Sequence, residues 1–174
     1  MESVSSMITE ELRRSLDEYI RLNYVENTVK SLEYVFHADL IKDAGKTFFQ
    51  KEGVTLEQLM EEVGESFHDM LFSKIDKSKM TDTEVYKRAN IDRRLFSKIR
   101  SNPAYHPRKQ TVLALAIGLK LNIDETVDLL ARAEYAFSPA NKGDLIVKYF
   151  IEQGVYDIMI INDALNQYGQ PVLN

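Results

Sequence analysis

The sequence predicts an all-α protein, a helical bundle, and three observations support this class. Apolar residues recur at helical spacing along almost all of the 174 residues. No run alternates between apolar and polar residues over the length of a β-strand. Two pairs of a capping residue and a glutamate three positions later mark helix starts. With 44% hydrophobic residues, the chain is long enough to bury a core in one domain or two small ones.

The first part of the chain predicts three helices. Residues 7–24 form one amphipathic pattern, and residues 27–51 form a second. Thr55 is a suitable N-cap for a third helix over residues 56–75, which we expect to divide near Gly64. The apolar residues in the last part of this third helix predict that it opens the next module.

The middle of the chain predicts two short helices joined by a tight turn. Thr81 and Glu84 have the spacing of a capping box, in which each side chain accepts a backbone hydrogen bond from the other residue, so a helix starts there. A turn at residues 90–91 leads to a second helix over residues 92–102. A longer apolar helix follows over residues 107–121.

The last part of the chain predicts three more helices. Asn122 and Glu125 form a second capping box, and residues 138–143 are rich in turn-forming residues and form a loop. The predicted helices cover residues 123–136, 144–153 and 156–167. The tail after Gly169 is either unstructured or packed back onto the bundle.

Charge is distributed unevenly along the chain. The formal net charge is −5, yet residues 81–109 contain eight Lys and Arg against three Asp and Glu. A basic segment within an acidic protein indicates an anionic partner when it coincides with a nucleic-acid-binding pattern, and otherwise a solvated surface.

Composition and motifs argue against several classes of protein. The absence of cysteine excludes disulfides and thiolate chemistry. No apolar run approaches the length of a membrane span or of a signal peptide, so we predict a cytoplasmic protein without membrane contact. The Gly45-Lys46-Thr47 sequence imitates the end of a phosphate-binding loop, but position 40 is leucine. Glu33 and His37 share a helix face, but three histidines form no compact cluster. We therefore predict no enzyme, metal or cofactor.

The helix over residues 92–102 has one apolar side and one cationic side. At 100° per residue, Phe96 and Ile99 face the core, because no other residues there can anchor the helix. The opposite side carries Arg94, Ser97, Lys98 and Ser101, with Arg93 on its flank. This strip has no acid, and its short serines permit close approach to a groove. Two short helices with such an outward face indicate a helix-turn-helix, whose second helix lies in the DNA major groove.

Residues of this region resemble the lambda-repressor-like (Xre/Cro type) helix-turn-helix domain, over about residues 66–130. The matching features are Thr81–Val85, Ala89, the turn Asn90-Ile91, Asp92–Ile99, Val112–Leu121 and Asn122–Glu125. The resemblance implies that DNA bases are contacted by Arg93, Arg94, Ser97 and Lys98. The C-terminal two thirds also resembles the helical region at the end of some Firmicute macrodomain proteins, which suggests a context and no activity.

A second set of residues is suited to DNA phosphates. Arg108 and Lys109 lie at the start of the helix over 107–121, where cations and a helix N-terminus favour an anion. We expect phosphate contacts from Thr83, Ser101, Tyr105, Arg108 and Lys109. Asp82 departs from the family pattern, since relatives usually place a neutral glutamine there and a carboxylate repels the DNA backbone. Leu95 is an apolar residue on the margin of the recognition helix.

The sequence thus predicts three segments: residues 1–64 for dimerisation or partner binding, residues 65–137 as the helix-turn-helix module, and residues 138–174 as helices packed on it. The leading hypothesis is a DNA-binding transcriptional regulator, a homodimer on double-stranded DNA, because symmetric sites require two copies of the motif. The alternative is a non-enzymatic adaptor, in phage defence for example, that uses the same fold to dock a protein. An antitoxin is a third reading, which depends on a neighbouring toxin gene.

Overall fold

The computed structural model describes residues 7–25 and 65–173. These residues contain eight helices and no strand, which confirms the predicted all-α class. The helices are α1 (Glu10–Asn23), α2 (Phe67–Ser78), α3 (Asp82–Arg88), α4 (Arg93–Ser101), α5 (Lys109–Gly118), α6 (Ile123–Arg132), α7 (Lys142–Glu152) and α8 (Ile158–Gln167). None of these eight helices is long and apolar enough to cross a membrane.

The chain divides into two units. Residues 1–24 and 66–174 belong to the first, and residues 25–65 to the second. The predicted helix over 27–51, the Thr55 cap and the Gly45-Lys46-Thr47 sequence lie outside the described residues, as do Glu33 and His37. Up to residue 64, the predicted helix over 56–75 and its division near Gly64 also lie outside the described residues. Within the described residues, α2 begins at Phe67, and Ser66 caps it by accepting a hydrogen bond from the Asp69 amide.

Helix α5 forms the centre of the first unit. All eight residues from Thr111 to Gly118 are buried, and the helix packs against α3, α6 and α8. A helix surrounded on all sides must be apolar on all sides, which explains the continuous apolar run from Val112 to Ile117. Burial of this helix supplies a large share of the hydrophobic stabilisation of the unit.

Helix α5 approaches the end of α3 closely. A Cβ atom added at Gly118 would lie 2.9 Å from the backbone nitrogen of Ala89 and 3.0 Å from its Cβ atom. Only glycine at position 118, with a small residue facing it, therefore allows this spacing. The contact fixes the chain at the point where α3 ends and the turn to α4 begins.

Helix α1 packs against α7 within the first unit. Leu16 and Ile20 are buried, and the Tyr149 hydroxyl donates a 2.8 Å hydrogen bond to the Ser15 hydroxyl. The hydroxyl of Tyr19 donates to a carboxylate oxygen of Glu152 at 2.8 Å. The apolar face of α1 is therefore covered by residues from the C-terminal part of the described chain.

Five helices, α3 and α5 to α8, end in the same way. In each, a residue with positive φ follows the helix, and the next residue donates a backbone hydrogen bond back to the last turn. The positive-φ residues are Asn90, Lys120, Glu134, Gly154 and Gly169. Three of the five are not glycine, so only the glycines at the last two positions mark these ends in the sequence.

Both predicted capping boxes are present, at Thr81 with Glu84 and at Asn122 with Glu125. Glu125 also accepts a hydrogen bond from Lys74 at 2.5 Å, which joins α6 to α2. This hydrogen bond lowers the pKa of Glu125, and the backbone hydrogen bond from Asn122 acts in the same direction. The Glu125 carboxylate thus caps the start of α6 and also joins α6 to α2.

The C-terminal tail packs back onto the bundle, which resolves the two predicted alternatives. Leu173 is 3% exposed, and its amide donates a 2.9 Å hydrogen bond to the side-chain oxygen of Asn162. Helix α7 begins at Lys142, two residues before the predicted start, because Asn141 caps it by accepting from the Asp144 amide. The predicted loop over 138–143 is correspondingly shorter.

Candidate nucleic-acid interface

Helices α3 and α4 are joined by a tight turn. The Thr81 hydroxyl accepts from the Glu84 amide at 3.3 Å, and a Glu84 carboxylate oxygen accepts from the Thr81 amide at 2.7 Å. Asn90 has φ 51°, a left-handed conformation that asparagine tolerates better than most residues. The amide of Ile91 closes the turn by donating to the Tyr86 carbonyl at 2.8 Å. The turn fixes the direction in which α4 leaves α3.

Helix α4 is anchored by two residues. Asp92 caps it by accepting from the Arg94 amide at 2.7 Å. Phe96 is 2% exposed and Ile99 is 1% exposed, as predicted from the helical periodicity. The ring of Phe96 lies edge-on to the Phe72 ring, with 6.2 Å between centroids, so α2 supports α4 from behind.

The outward side of α4 is cationic and exposed. The predicted base-contacting residues Arg93, Arg94, Ser97 and Lys98 are all exposed to solvent. Within residues 7–25 and 65–173, none of the three cations forms an ion pair with a carboxylate. The side chains that the sequence predicts as the reading surface are therefore accessible together on one helix.

Lys98 is held in place by an aromatic ring. Its ammonium lies 4.4 Å from the centroid of Tyr105, in a cation–π contact. The loop that carries Tyr105 is itself fixed, because its amide donates to the Asn102 carbonyl at 2.9 Å. Further along the loop, a ring nitrogen of His106 lies 2.9 Å from the Ala133 carbonyl oxygen. This contact orders Lys98 without neutralising it.

Arg100, at the end of the same helix, is paired. It donates two hydrogen bonds to the Asp82 carboxylate, at 2.5 and 2.6 Å, and its guanidinium lies 4.5 Å from the centroid of Phe72. The hydrogen bonds to Asp82 raise the pKa of Arg100. From the sequence, the Asp82 carboxylate is expected to repel the DNA backbone. In the structure, the Arg100 guanidinium balances this negative charge. The pair also ties the start of α3 to the end of α4.

The predicted phosphate-contacting residues fall into two groups. Thr83, Ser101 and Arg108 are exposed, and Tyr105 is half-buried beneath Lys98. Lys109 differs, because its ammonium forms an ion pair with the Asp144 carboxylate, whose side chain is 6% exposed. The same carboxylate accepts from the Ser138 amide at 2.7 Å. Lys109 therefore points into the protein and joins α5 to α7.

Sequence reasoning did not identify the cap of α5. Arg108 occupies the N-cap position, and its side chain makes no capping hydrogen bond. The first amides of a helix carry partial positive charge and point outward, so an uncapped start adds to the charge of Arg108. The absence of Ser, Thr, Asp or Asn at position 108 is the sequence feature that marks this end.

No family model, curated protein or solved structure matches this chain.

The function must therefore be inferred from the geometry of the side chains. A short helix presents three accessible cations and two small hydroxyl side chains, and an uncapped helix start with a further cation lies on the adjoining segment. Arginine and lysine donate to guanine edges and to phosphates, and serine permits close approach. The arrangement suits a polyanion that has a groove.

Proposed function

We propose that this protein binds double-stranded DNA through α4 and acts as a transcriptional regulator of the Xre/Cro type in the cytoplasm. The observation that carries the proposal is a division among the cations of the basic segment. Arg100 and Lys109 are paired with the protein's own carboxylates, whereas Arg93, Arg94 and Lys98 have no acidic partner in the described ranges. A cation that is paired internally is not available to DNA, whereas these three exposed cations on one helix are.

In this proposal α4 enters the major groove with its outward side towards the bases. Arg94 and Lys98 point away from the buried Phe96 and Ile99, so they reach base edges, and bidentate contact of arginine with guanine supplies specificity. Arg93 lies at the first position of the helix and reaches a base or the nearest phosphate. Ser97, between the cations, allows the helix to lie close to the groove floor.

Phosphates flank this surface in the same proposal. Arg108 and the uncapped start of α5 hold one phosphate, and Thr83, Ser101 and Tyr105 contact others. Lys109 is omitted from the set, because Asp144 holds its ammonium. These contacts position the helix and do not read the sequence.

A second copy of the chain completes the proposal. Symmetric operators require two reading helices about one DNA turn apart, so we propose a homodimer. The buried side of α1 is used inside the first unit, where Leu16 and Ile20 are covered. A contact between copies or with a protein partner through residues 1–64 would therefore use the exposed side of α1 or the segment that follows it.

A duplex titration with a charge-matched control tests the proposal. The full chain is titrated with a random-sequence duplex pool over a series of salt concentrations, by fluorescence anisotropy. Arg94→Ala combined with Lys98→Ala should weaken binding to a duplex selected from the pool more than binding to the pool itself, because contacts to bases are lost. Lys77→Ala combined with Lys148→Ala removes the same charge elsewhere and should leave binding unchanged.

Two results would contradict the proposal. The first is equal loss of affinity in both double variants, which would show that only net charge matters. The second is no affinity for duplex at low salt, together with capture of a protein from host lysate that survives nuclease treatment. That second result would favour an adaptor that docks a protein on the same fold.

A further inference from the structure

A cleft of about 550 Å³ lies beside α4, between the loop after α4 and the C-terminal tail. One wall is apolar and comes from Leu95, Tyr105, Val172 and Leu173. The other end is polar and carries Arg108 and Thr111. Among the residues that the structure describes, no carboxylate lines the cleft, so its lining charge is positive. This volume is in the range of small-molecule sites.

The cleft is built from fixed parts. Its tail side is held by the burial of Leu173 and by the hydrogen bond from the Leu173 amide to Asn162. Leu95 is half-buried and packs against the core, so it belongs to the wall rather than to the open side of α4. Tyr105 is fixed from the other side by Lys98.

The polar end of the cleft is the start of α5, a helix of ten residues. The first backbone hydrogen bond of the helix is from the Val112 amide to the Arg108 carbonyl. In the part of the chain that the structure describes, the amides of Lys109, Gln110 and Thr111 have no acceptor. An anion at this position would accept from these amides and face the Arg108 guanidinium.

Thr111 supplies an independent observation. The residue is 5% exposed and lines the cleft. Its hydroxyl forms no hydrogen bond with any of the residues described. Thr126, another buried threonine, instead donates from its hydroxyl to the Asn122 carbonyl at 2.8 Å. The hydroxyl oxygen of Thr111 is not sealed inside the protein but opens into the cleft, where its hydrogen-bond donor is available to an acceptor supplied from outside.

We propose that this cleft binds a small organic anion, a carboxylate or phosphate group carried on a compact apolar body. The anionic group accepts from the Thr111 hydroxyl and the first amides of α5, and pairs with Arg108. The apolar body lies against Leu95, Tyr105 and Val172. Lys109 takes no part, because Asp144 holds it.

The inference rests in one respect on the proposed function. If Arg108 and the start of α5 also hold a DNA phosphate, the small anion and the duplex compete for the same donors. The anion would then act as an effector that lowers duplex affinity, and the coupling would be reciprocal. Binding of the anion itself does not depend on DNA.

The first experiment measures ligand binding by the full chain without DNA, using amide chemical shifts and calorimetry. The probes are benzoate, phenyl phosphate, inorganic phosphate and the uncharged benzyl alcohol. Benzoate or phenyl phosphate should bind saturably and shift the amides at residues 109–111 and 172–173. Inorganic phosphate should bind more weakly, and benzyl alcohol should not bind. Equal affinity for inorganic and phenyl phosphate would contradict a role for the apolar wall.

Variants separate the cleft from the fold. Thr111→Val keeps the buried volume and removes the hydroxyl, and it should weaken binding about tenfold, since a hydrogen bond to a charged group is lost. Thr126→Val is the same change at a buried threonine outside the cleft and should leave affinity unchanged. Val172→Asp, at an exposed position, places a carboxylate in the cleft and should reduce binding more strongly. Unchanged affinity in Thr111→Val and Val172→Asp would overturn the assignment.

A competition experiment separates this inference from the proposed function. Saturating benzoate or phenyl phosphate should lower duplex affinity in the wild type and not in Val172→Asp. If the anion binds and duplex affinity is unchanged, the effector role is wrong. If the chain binds no duplex while the anion still binds, the proposed function is wrong and the site stands.

Discussion

Helices α4 and α5 are neighbours in the chain and opposites in environment. Two residues of α4 are buried and its other side is open, whereas α5 is buried from Thr111 to Gly118. The sequence of α5 is therefore constrained by packing on every side, and that of α4 on one side only. The cations on the open side of α4 are not required by packing, so they are available to a ligand.

The largest expected effect is a loss of stability when a core residue of α5 is truncated. Leu115 is fully buried in α5, so Leu115→Ala should lower the free energy of unfolding by about 2 to 5 kcal/mol. Urea denaturation followed by circular dichroism measures the change. Leu22→Ala, at a position 62% exposed, is the control and should change stability by no more than about 0.5 kcal/mol. Similar effects in the two variants would contradict the central position of α5.

The ion pair at the start of α5 gives the next largest effect. Lys109→Ala leaves the Asp144 carboxylate buried without its charged partner, so it should destabilise the fold by about 1 to 3 kcal/mol. Thermal unfolding measures this loss, and adding Asp144→Asn should restore part of it. A Lys109→Ala variant that keeps wild-type stability and loses duplex affinity would return this lysine to the set of phosphate contacts.

Substitutions on the open side of α4 should have little effect on stability and a larger effect on DNA binding. Arg94→Ala should leave the unfolding free energy within about 0.5 kcal/mol of the wild type, since the side chain is exposed. It should reduce discrimination between a selected duplex and a random one by about 1 to 3 kcal/mol. Paired anisotropy titrations measure both affinities, with Lys77→Ala as control. Weaker binding to both duplexes by the same factor would make Arg94 a phosphate contact.

The close approach of α5 to α3 at Gly118 can be tested by adding a methyl group there. Gly118→Ala gains up to about 1 kcal/mol of helix propensity but forces a Cβ atom against the Ala89 backbone, at a cost of about 1 to 3 kcal/mol. The net result should be a loss of stability with faster amide exchange at residues 89–91. Gly154→Ala, where a Cβ atom meets open space but φ is 68°, should also lose stability, without a local increase in exchange at residues 89–91. A stabilised Gly118→Ala variant would contradict the contact.

The smallest expected effect is a change in acid stability. Because hydrogen bonding to Lys74 lowers the pKa of Glu125 in the folded state, this carboxylate stabilises the fold above about pH 4.5 and ceases to do so as the pH falls through the folded-state pKa. Glu125→Gln should be less stable than the wild type at pH 7, by less than about 1 kcal/mol, and the difference should be smaller at about pH 3. Parallel denaturation curves at both pH values measure the difference. A constant difference would rule out this linkage.

The sequence predicted those parts of the fold that depend on local interactions. The boxes at Thr81 and Asn122, and the burial of Phe96 and Ile99, follow from spacing alone. Helix ends were harder to predict, because a left-handed lysine at position 120 and glutamate at position 134 replace the usual glycine.

The rest of the candidate site depends on partners that are distant in sequence. Lys109 and Asp144 are 35 residues apart, and Arg100 and Asp82 are 18 apart, so no local pattern reveals which cations are already paired. A basic segment in the sequence therefore overestimates the number of cations open to a ligand. The position of the tail beside Leu95 likewise depends on how α8 packs, which periodicity does not specify.

The pairing of α1 with helices from the opposite end of the chain has a consequence for synthesis. Tyr149 and Ser15 are 134 residues apart, and the Met7 amide donates to Asp163 across 156 residues. While the chain is being made, α1 leaves the ribosome long before the surface that covers Leu16 and Ile20 exists. The emerging chain thus carries an uncovered apolar stripe until α7 and α8 have been made, and chains cut short before α7 should be targets for chaperones or proteases.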